Sequence, residues 1–174
     1  LINNWEATYF DFNEEKLEQI VDEAKALGIE LFVLDDGWFG ARENDLTSLG
    51  DWYENKGKLA SGLRGFAEKV HQKGLKFGLW LEPEMISEAS ELYRQHPDWV
   101  LKVPGRPPAL SRSQWVLDFS RADVRNHLLA RLTAIFEEVP IDYIKWDMNR
   151  NMTDVYSLLL EPTQQGEVFH RYML

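Results

Sequence analysis

Lys145-Trp146-Asp147-Met148-Asn149-Arg150 is the sharpest cluster of residue types whose spacing could do chemistry. On a strand, the two-residue period puts Lys145 and Asp147 on one side. An ammonium beside a carboxylate keeps that carboxylate ionised, which suits a nucleophile or an electrostatic stabiliser and not a general acid. The same two residues also read as a structural ion pair at a strand end, and spacing alone does not separate the readings. Asp35-Asp36 stand directly before Gly37-Trp38. Adjacent carboxylates either cap backbone N–H groups at the start of a loop or accept hydrogen bonds from a polyol. Trp38 favours the polyol, because sugars present hydroxyl edges and apolar C–H faces. Trp5, Trp80 and Trp146 also fall at or near expected strand ends. Any one Trp packs into a core as readily as it platforms a sugar, but four together shift the balance.

These side chains are useful only if the elements beneath them converge. Leu17, Ile20, Val21, Ala24 and Leu27 recur at helical spacing after an N-cap candidate at Asn13, with Gly28 placed to end the helix. Ile29 to Leu34 is then nearly all apolar, as in a strand buried on both faces, and stops at Asp35-Asp36. The alternation repeats. Leu63, Phe66, Ala67 and Val70 predict a helix closed by Gly74, and Phe77 to Leu81 a strand ending in Glu82-Pro83-Glu84. A helix over Glu88 to Gln95 leads to a strand over Trp115 to Phe119, containing Asp118. Val124, Leu128, Leu132, Ile135 and Phe136 mark a further helix, and Tyr143 to Asp147 a last strand. With Asn4 to Tyr9 as the first, this predicts about five strands in a parallel βα pattern. No glycine-rich phosphate turn supports a doubly wound sheet. Carboxylates at the internal strand ends favour a (β/α)8 barrel, where C-terminal strand ends line one pocket. A whole barrel takes roughly 250 residues, so the expectation is an α/β partial (β/α)8 TIM barrel of about five strands. Residues 1–174 are expected to form one partial catalytic domain, a half-barrel.

Composition narrows the partners. Among 174 residues, 19 are Lys or Arg and 29 are Asp or Glu, a formal net charge of −10. That disfavours nucleic acid and anionic membranes, both of which demand clustered cations. With 44% hydrophobic and 28% charged residues, the chain can build a real core. It has no cysteine, so disulfides, thiolate zinc sites and cysteine nucleophiles are excluded together. His71, His96, His127 and His170 are isolated and lack zinc-ligand spacing, so no metal and no cofactor is expected. A magnesium site of strand-end carboxylates, as in enolase-like barrels, is the rival enzyme reading. A non-catalytic sugar-binding or structural half-barrel is the third. The opening Leu1-Ile2-Asn3-Asn4-Trp5 lacks the features of a signal peptide, and no run is long enough to span a bilayer, which points to the cytoplasm. An open arc of strands leaves two edges for self-association into a homodimer or larger assembly. Inward residues such as Val33 and Trp80 then need cover, either from a second copy or from the loops Ala41 to Ala60 and Pro104 to Ser113.

Several motifs agree in order. Asn3-Asn4-Trp5-Glu6-Ala7, Leu34-Asp35-Asp36-Gly37-Trp38-Phe39-Gly40, Gly78-Leu79-Trp80-Leu81-Glu82-Pro83-Glu84-Met85, His96-Pro97-Asp98-Trp99, Leu110-Ser111-Arg112 and Lys145-Trp146-Asp147-Met148-Asn149-Arg150 resemble the bacterial α-galactosidases of glycoside hydrolase family 36. The resemblance covers essentially the whole chain. It implies a (β/α)8 barrel that hydrolyses terminal α-galactosides such as melibiose and raffinose with retention of configuration. It also implies that Asp147 is the catalytic nucleophile, forming a covalent galactosyl-enzyme. Lys145 and Asn149 would bind sugar, Asp35 and Asp36 would hold galactose hydroxyls, and Trp5, Trp80 and Arg112 would be further pocket residues. A retaining glycosidase needs a second carboxyl as acid/base. In the family that aspartate lies beyond the matched segment, so the isolated chain is expected to be inactive or nearly so. Glu82 and Glu84 gain no acid role from the resemblance.

Overall fold

The computed structural model describes residues 1–174. In chain order its elements are β1 (Ile2–Asn3), α1 (Trp5–Thr8), α2 (Glu14–Ala26), β2 (Leu31–Leu34), α3 (Gly62–Gln72), β3 (Lys76–Leu81), β4 (Met85–Ile86), α4 (Glu91–Gln95), β5 (Trp115–Val116), α5 (Ala122–Glu138), β6 (Tyr143–Trp146), a 3-10 helix (Pro162–Glu167) and α6 (Val168–Met173). They form two compact units. One comprises Leu1–Asn44, Trp52–Leu81 and Leu132–Asp147, the other Asp45–Asp51, Glu82–Arg131 and Met148–Leu174.

The first unit carries an open four-stranded sheet in the order β1-β2-β3-β6, with every pairing parallel. This is the expected partial barrel, with four strands in the sheet. Its register sorts the side chains. Phe32 pairs with Phe77 on the face toward α3, where Phe66 meets both rings edge-on at 5.9 and 6.0 Å. Val33, Gly78 and Tyr143 share the opposite face, and two residues further along so do Trp80 and Lys145. Helix α2 starts where Asn13 accepts the Lys16 N–H at 2.9 Å and buries Leu17, Val21 and Ala24. Gly28 and Gly74 follow α2 and α3 with φ of 75° and 87°, the left-handed conformation that stops a helix without steric penalty. Asp142 ties β6 to β3. Its carboxylate accepts the Phe77 N–H at 2.8 Å and contacts His71 Nε2 at 2.7 Å, while its own N–H donates to the Phe77 carbonyl at 2.8 Å. The Phe77 N–H, aided by His71, holds this carboxyl below its usual range.

Gly78 is required for a different reason. A Cβ there would lie 2.9 Å from Val33 Cγ2, 3.2 Å from Tyr143 Cδ1 and 3.3 Å from the Tyr143 carbonyl oxygen. The backbone atom cannot yield, so Gly78→Ala should destabilise the protein by about 1–3 kcal/mol through overpacking. A urea transition unchanged from wild type would show that the strands part freely at this point.

In the second unit, β4 and β5 pair antiparallel, Met85 with Val116 and Ile86 with Trp115. This corrects the expectation of a parallel strand over Trp115 to Phe119. The Leu117 N–H donates to the Glu84 carbonyl at 2.9 Å and the Asp118 N–H to the Trp99 carbonyl at 2.7 Å, which commits the segment to other partners. Helix α4 begins at Glu91, later than expected, because Ser90 caps it and the buried Asp51 carboxylate accepts the Glu91 and Leu92 N–H groups. Burial pushes the Asp51 carboxyl up, against those two donors.

The expected first strand over Asn4 to Tyr9 is also corrected: it is the helical turn α1. Asn3 Oδ1 accepts the Trp5 N–H at 3.1 Å, and the Asn4 carbonyl accepts N–H groups from Ala7 and Thr8. Such local bonds offered by asparagine compete with a ladder. No helix is long and apolar enough to cross a membrane.

Candidate active site

In the first unit, the C-terminal ends of β2, β3 and β6 gather five of the expected residues. Asp35 follows the last residue of β2, and the register sets it level with Trp80 and Lys145. Lys145 Nζ donates to Asp35 Oδ2 at 2.8 Å. Lys145 thus pairs with a carboxylate at the end of another strand, a partner that the spacing along β6 does not reveal. The side chains of Lys145 and Asp147 project from one side of β6, but the long lysine reaches across β3 to a carboxylate that is only 2% exposed. Asp35 is fixed from its own backbone too. Its N–H donates to Oδ1 of the fully buried Asn4 at 2.9 Å, and its Oδ1 accepts the Asp36 N–H at 2.9 Å.

Trp80 Nε1 donates to Asp147 Oδ2 at 3.0 Å, and the Asp147 N–H extends the ladder to the Leu81 carbonyl at 2.8 Å. The indole thus anchors one oxygen of the carboxylate. Trp80 is itself held: Trp38 Nε1 donates to its carbonyl at 2.9 Å, and Phe39 stacks parallel to it at 6.2 Å. Trp52 completes the cluster, 4.5 Å from Phe39 and 6.3 Å from Trp80. Val33 and Trp80 are consequently buried. Around Trp80 this cover comes from the chain's own loop residues, one of the two sources the sequence left open.

Asp36 is engaged in a buried fork. Arg42 Nε donates to Oδ1 at 3.0 Å and Nη2 to Oδ2 at 2.9 Å, with Arg42 1% exposed. Lys58 seals this corner, its ammonium donating to the carbonyls of Phe10 and Arg42 at 2.9 Å each. Burial pushes that ammonium below its ordinary value, opposed by Glu43 and Asp36. Trp5 opens α1, half-buried, with Tyr9 and Phe10 edge-on to it at 5.2 Å each.

Arg112 and Asn149 belong to the second unit. Arg112 is exposed in a two-residue turn, with φ of 51° there and 59° at Ser113, closed by a bridge between Ser111 and Gln114. The Asn149 N–H donates to Glu82 Oε1 at 2.6 Å. Asp118, expected at a strand end beside the others, is fully buried and accepts hydrogen bonds from Ser120 instead. No group of three or more His, Asp or Glu side chains is arranged to hold a metal ion.

Sequence reasoning missed Asn4 and Arg42. Asn4 stands next to a noted Trp, and its zero exposure was the missing clue. Arg42 is six residues beyond Asp36 in an irregular loop, where no periodicity announces burial.

The arrangement is an acidic, aromatic-walled patch with one oriented carboxylate at its rim. A family model described as Melibiase matches residues 1–174. Alpha-galactosidase 1 of Pediococcus pentosaceus is 59% identical over all of this chain, which spans 24% of that protein. The crystal structure of the GH36 α-galactosidase AgaA from Geobacillus stearothermophilus superposes with a TM-score of 0.95 at 57% identity, over 98% of this chain and 24% of that one. A variant of AgaA in complex with raffinose gives the same TM-score, identity and coverage.

Proposed function

The chain belongs to the Melibiase family, and from that premise we propose that it is part of the catalytic barrel of a retaining α-galactosidase acting on terminal α-galactosides of the melibiose and raffinose type. The observation that carries the proposal is the pairing of an oriented Asp147 with a separately neutralised Asp35, through Trp80 and Lys145. In this reading an Asp147 carboxylate oxygen attacks the anomeric carbon, and the bond to the leaving oxygen breaks with protonation by an acid/base outside residues 1–174. Water then releases galactose and regenerates Asp147. Asp35, fixed by Lys145 and Asn4, accepts galactose hydroxyls, and Lys145 keeps donors for a neighbouring hydroxyl. Asp36 does the same from its place on Arg42. Trp5 and Trp80 give apolar surface to the ring, and Arg112 and Asn149 contribute further contacts. Residues 1–174 would then be one stretch of a single barrel domain, and the cytoplasm is its proposed location.

The test is turnover of a nitrophenyl α-galactoside by the full-length protein. Activity that persists in EDTA supports the carboxylate mechanism. Activity abolished by EDTA and restored by magnesium would replace it with enolase-like chemistry.

For the 174 residues alone, we propose weak or absent hydrolysis and self-association. β1 and β6 are the sheet's edges, and β6 exposes Tyr143 by 43% and Trp146 by 52%. An open edge with exposed aromatics invites a second strand. Light scattering across a concentration series should show a mass above 20.3 kDa. A monomer at every concentration would refute the association, and melibiose cleavage at ordinary enzymatic rates would refute the need for an outside acid.

A further inference from the structure

We propose that a closed ring of buried hydrogen bonds through Glu82, Gln114 and Arg150 sets the positions of Arg112 and Asn149, making Glu82 and Arg150 positioning residues for sugar binding. The proposal rests on the reading of Arg112 and Asn149 as sugar contacts and adds what aligns them. Glu82 is fully buried, and both its oxygens are used. Oε1 accepts the Asn149 N–H at 2.6 Å and Oε2 accepts Gln114 Nε2 at 2.9 Å. Arg150 Nη1 then donates to the Gln114 carbonyl at 2.7 Å and to the Ala109 carbonyl at 2.6 Å. The peptide bond between Asn149 and Arg150 closes the ring. Gln114 and Arg150 are 4% and 6% exposed, so solvent does not substitute for any member.

The geometry of the turn shows what the ring holds. Arg112 and Ser113 both lie in the left-handed region, and neither is glycine. Such a conformation persists only where the surroundings over-determine it. Arg150 supplies the constraint by gripping carbonyls on both sides of the turn, at Ala109 and Gln114. Nε donates to the Asn151 carbonyl and Nη2 to Thr153 Oγ1, each at 3.0 Å, so all three nitrogens of the fork are held. One buried carboxylate thereby fixes the main chain of Asn149 and, through Gln114, the turn that presents Arg112. A lysine at position 150 could not span both carbonyls and the two further acceptors.

The experiment uses the full-length protein. Glu82→Gln keeps size but leaves one acceptor where two N–H donors converge, so the Gln114 amide either faces an NH2 group or rotates and loses the acceptor for its own NH2. Adding Gln114→Glu restores one donor facing one acceptor. With a nitrophenyl α-galactoside, Glu82→Gln should raise KM about tenfold or more, with a smaller change in kcat. The Asn149 and Gln114 amides should exchange with deuterium about tenfold faster, while those of Lys145 and Trp146 in β6 do not change. The double exchange should recover most of both effects, a rescue that loss of folded protein would not give. If Glu82→Gln does not fold, Arg150→Lys carries the same two readouts, with the Gln114 amide expected to move first. Unchanged KM and unchanged exchange in a folded variant would overturn the proposal, as would a double exchange that rescues nothing. If the wild-type protein turns over no α-galactoside, the enzymatic reading fails by itself. The ring is then judged on exchange alone, and unaltered Asn149 and Gln114 amides overturn it.

Discussion

Asp147→Ala in the full-length protein should lower kcat/KM for a nitrophenyl α-galactoside by about four orders of magnitude or more, because the covalent route loses its nucleophile. The substitution removes a carboxylate at a strand end without disturbing the ladder, since the Asp147 N–H still reaches the Leu81 carbonyl. Folding should survive, and galactose binding should weaken far less than turnover. The freed space gives a second signature. A small anion such as azide should restore part of the rate and yield the β-configured galactosyl azide, the product of one displacement instead of two. Turnover that survives Asp147→Ala unchanged would assign the nucleophile elsewhere.

Arg42→Met should cost about 3–5 kcal/mol of stability, the penalty for removing one partner of a buried ion pair. The fork onto Asp36 has both bonds at 3.0 Å or less, and the guanidinium is 1% exposed, so water is a poor replacement. Arg42→Lys keeps the charge but not the fork, and should fall between wild type and Arg42→Met. Trp52 packs within 6.3 Å of both Trp38 and Trp80, so tryptophan fluorescence in a urea titration reports this region directly. A midpoint within experimental error of wild type would mean that Asp36 finds another cation, and the fork would lose its structural role. If Asp36 accepts galactose hydroxyls as proposed, sugar binding should also weaken in the folded fraction, since the fork helps to orient its carboxylate.

The sheet of the first unit was legible where physics writes long signals. β2 and β3 are buried apolar runs, β6 was readable from the short run into Lys145 and Asp147 although none of its residues is buried, and α2 and α3 have complete helical stripes with a cap at Asn13 and stops at Gly28 and Gly74. Short elements were not legible. β1 has two residues, and the Asn3 and Asn4 carbonyl chemistry turns the following residues into α1 against their apparent strand pattern. β5 carried the apolar composition of a sheet strand, but its partners lie in β4 and around Trp99, distances of chain that composition does not encode. The candidate site divides in the same way. Residue types at strand ends were readable, and so was the shared face of Lys145 and Asp147. The partner of Lys145 was not, because period-two reasoning sees neighbours on one strand and Asp35 comes from 110 residues away. Arg42 lay deeper still: a charged loop residue looks solvated until a second buried charge is placed beside it.

The most direct measurement of the central claim is covalent trapping. The full-length protein is incubated with a fluorinated α-galactosyl donor whose adduct hydrolyses slowly, then digested and mapped by mass spectrometry. A single galactosyl adduct on the Asp147 carboxylate, formed in step with loss of activity and absent in Asp147→Ala, is the predicted result. Inactivation with the label on another carboxylate, or full protection of activity with no adduct at all, would contradict it.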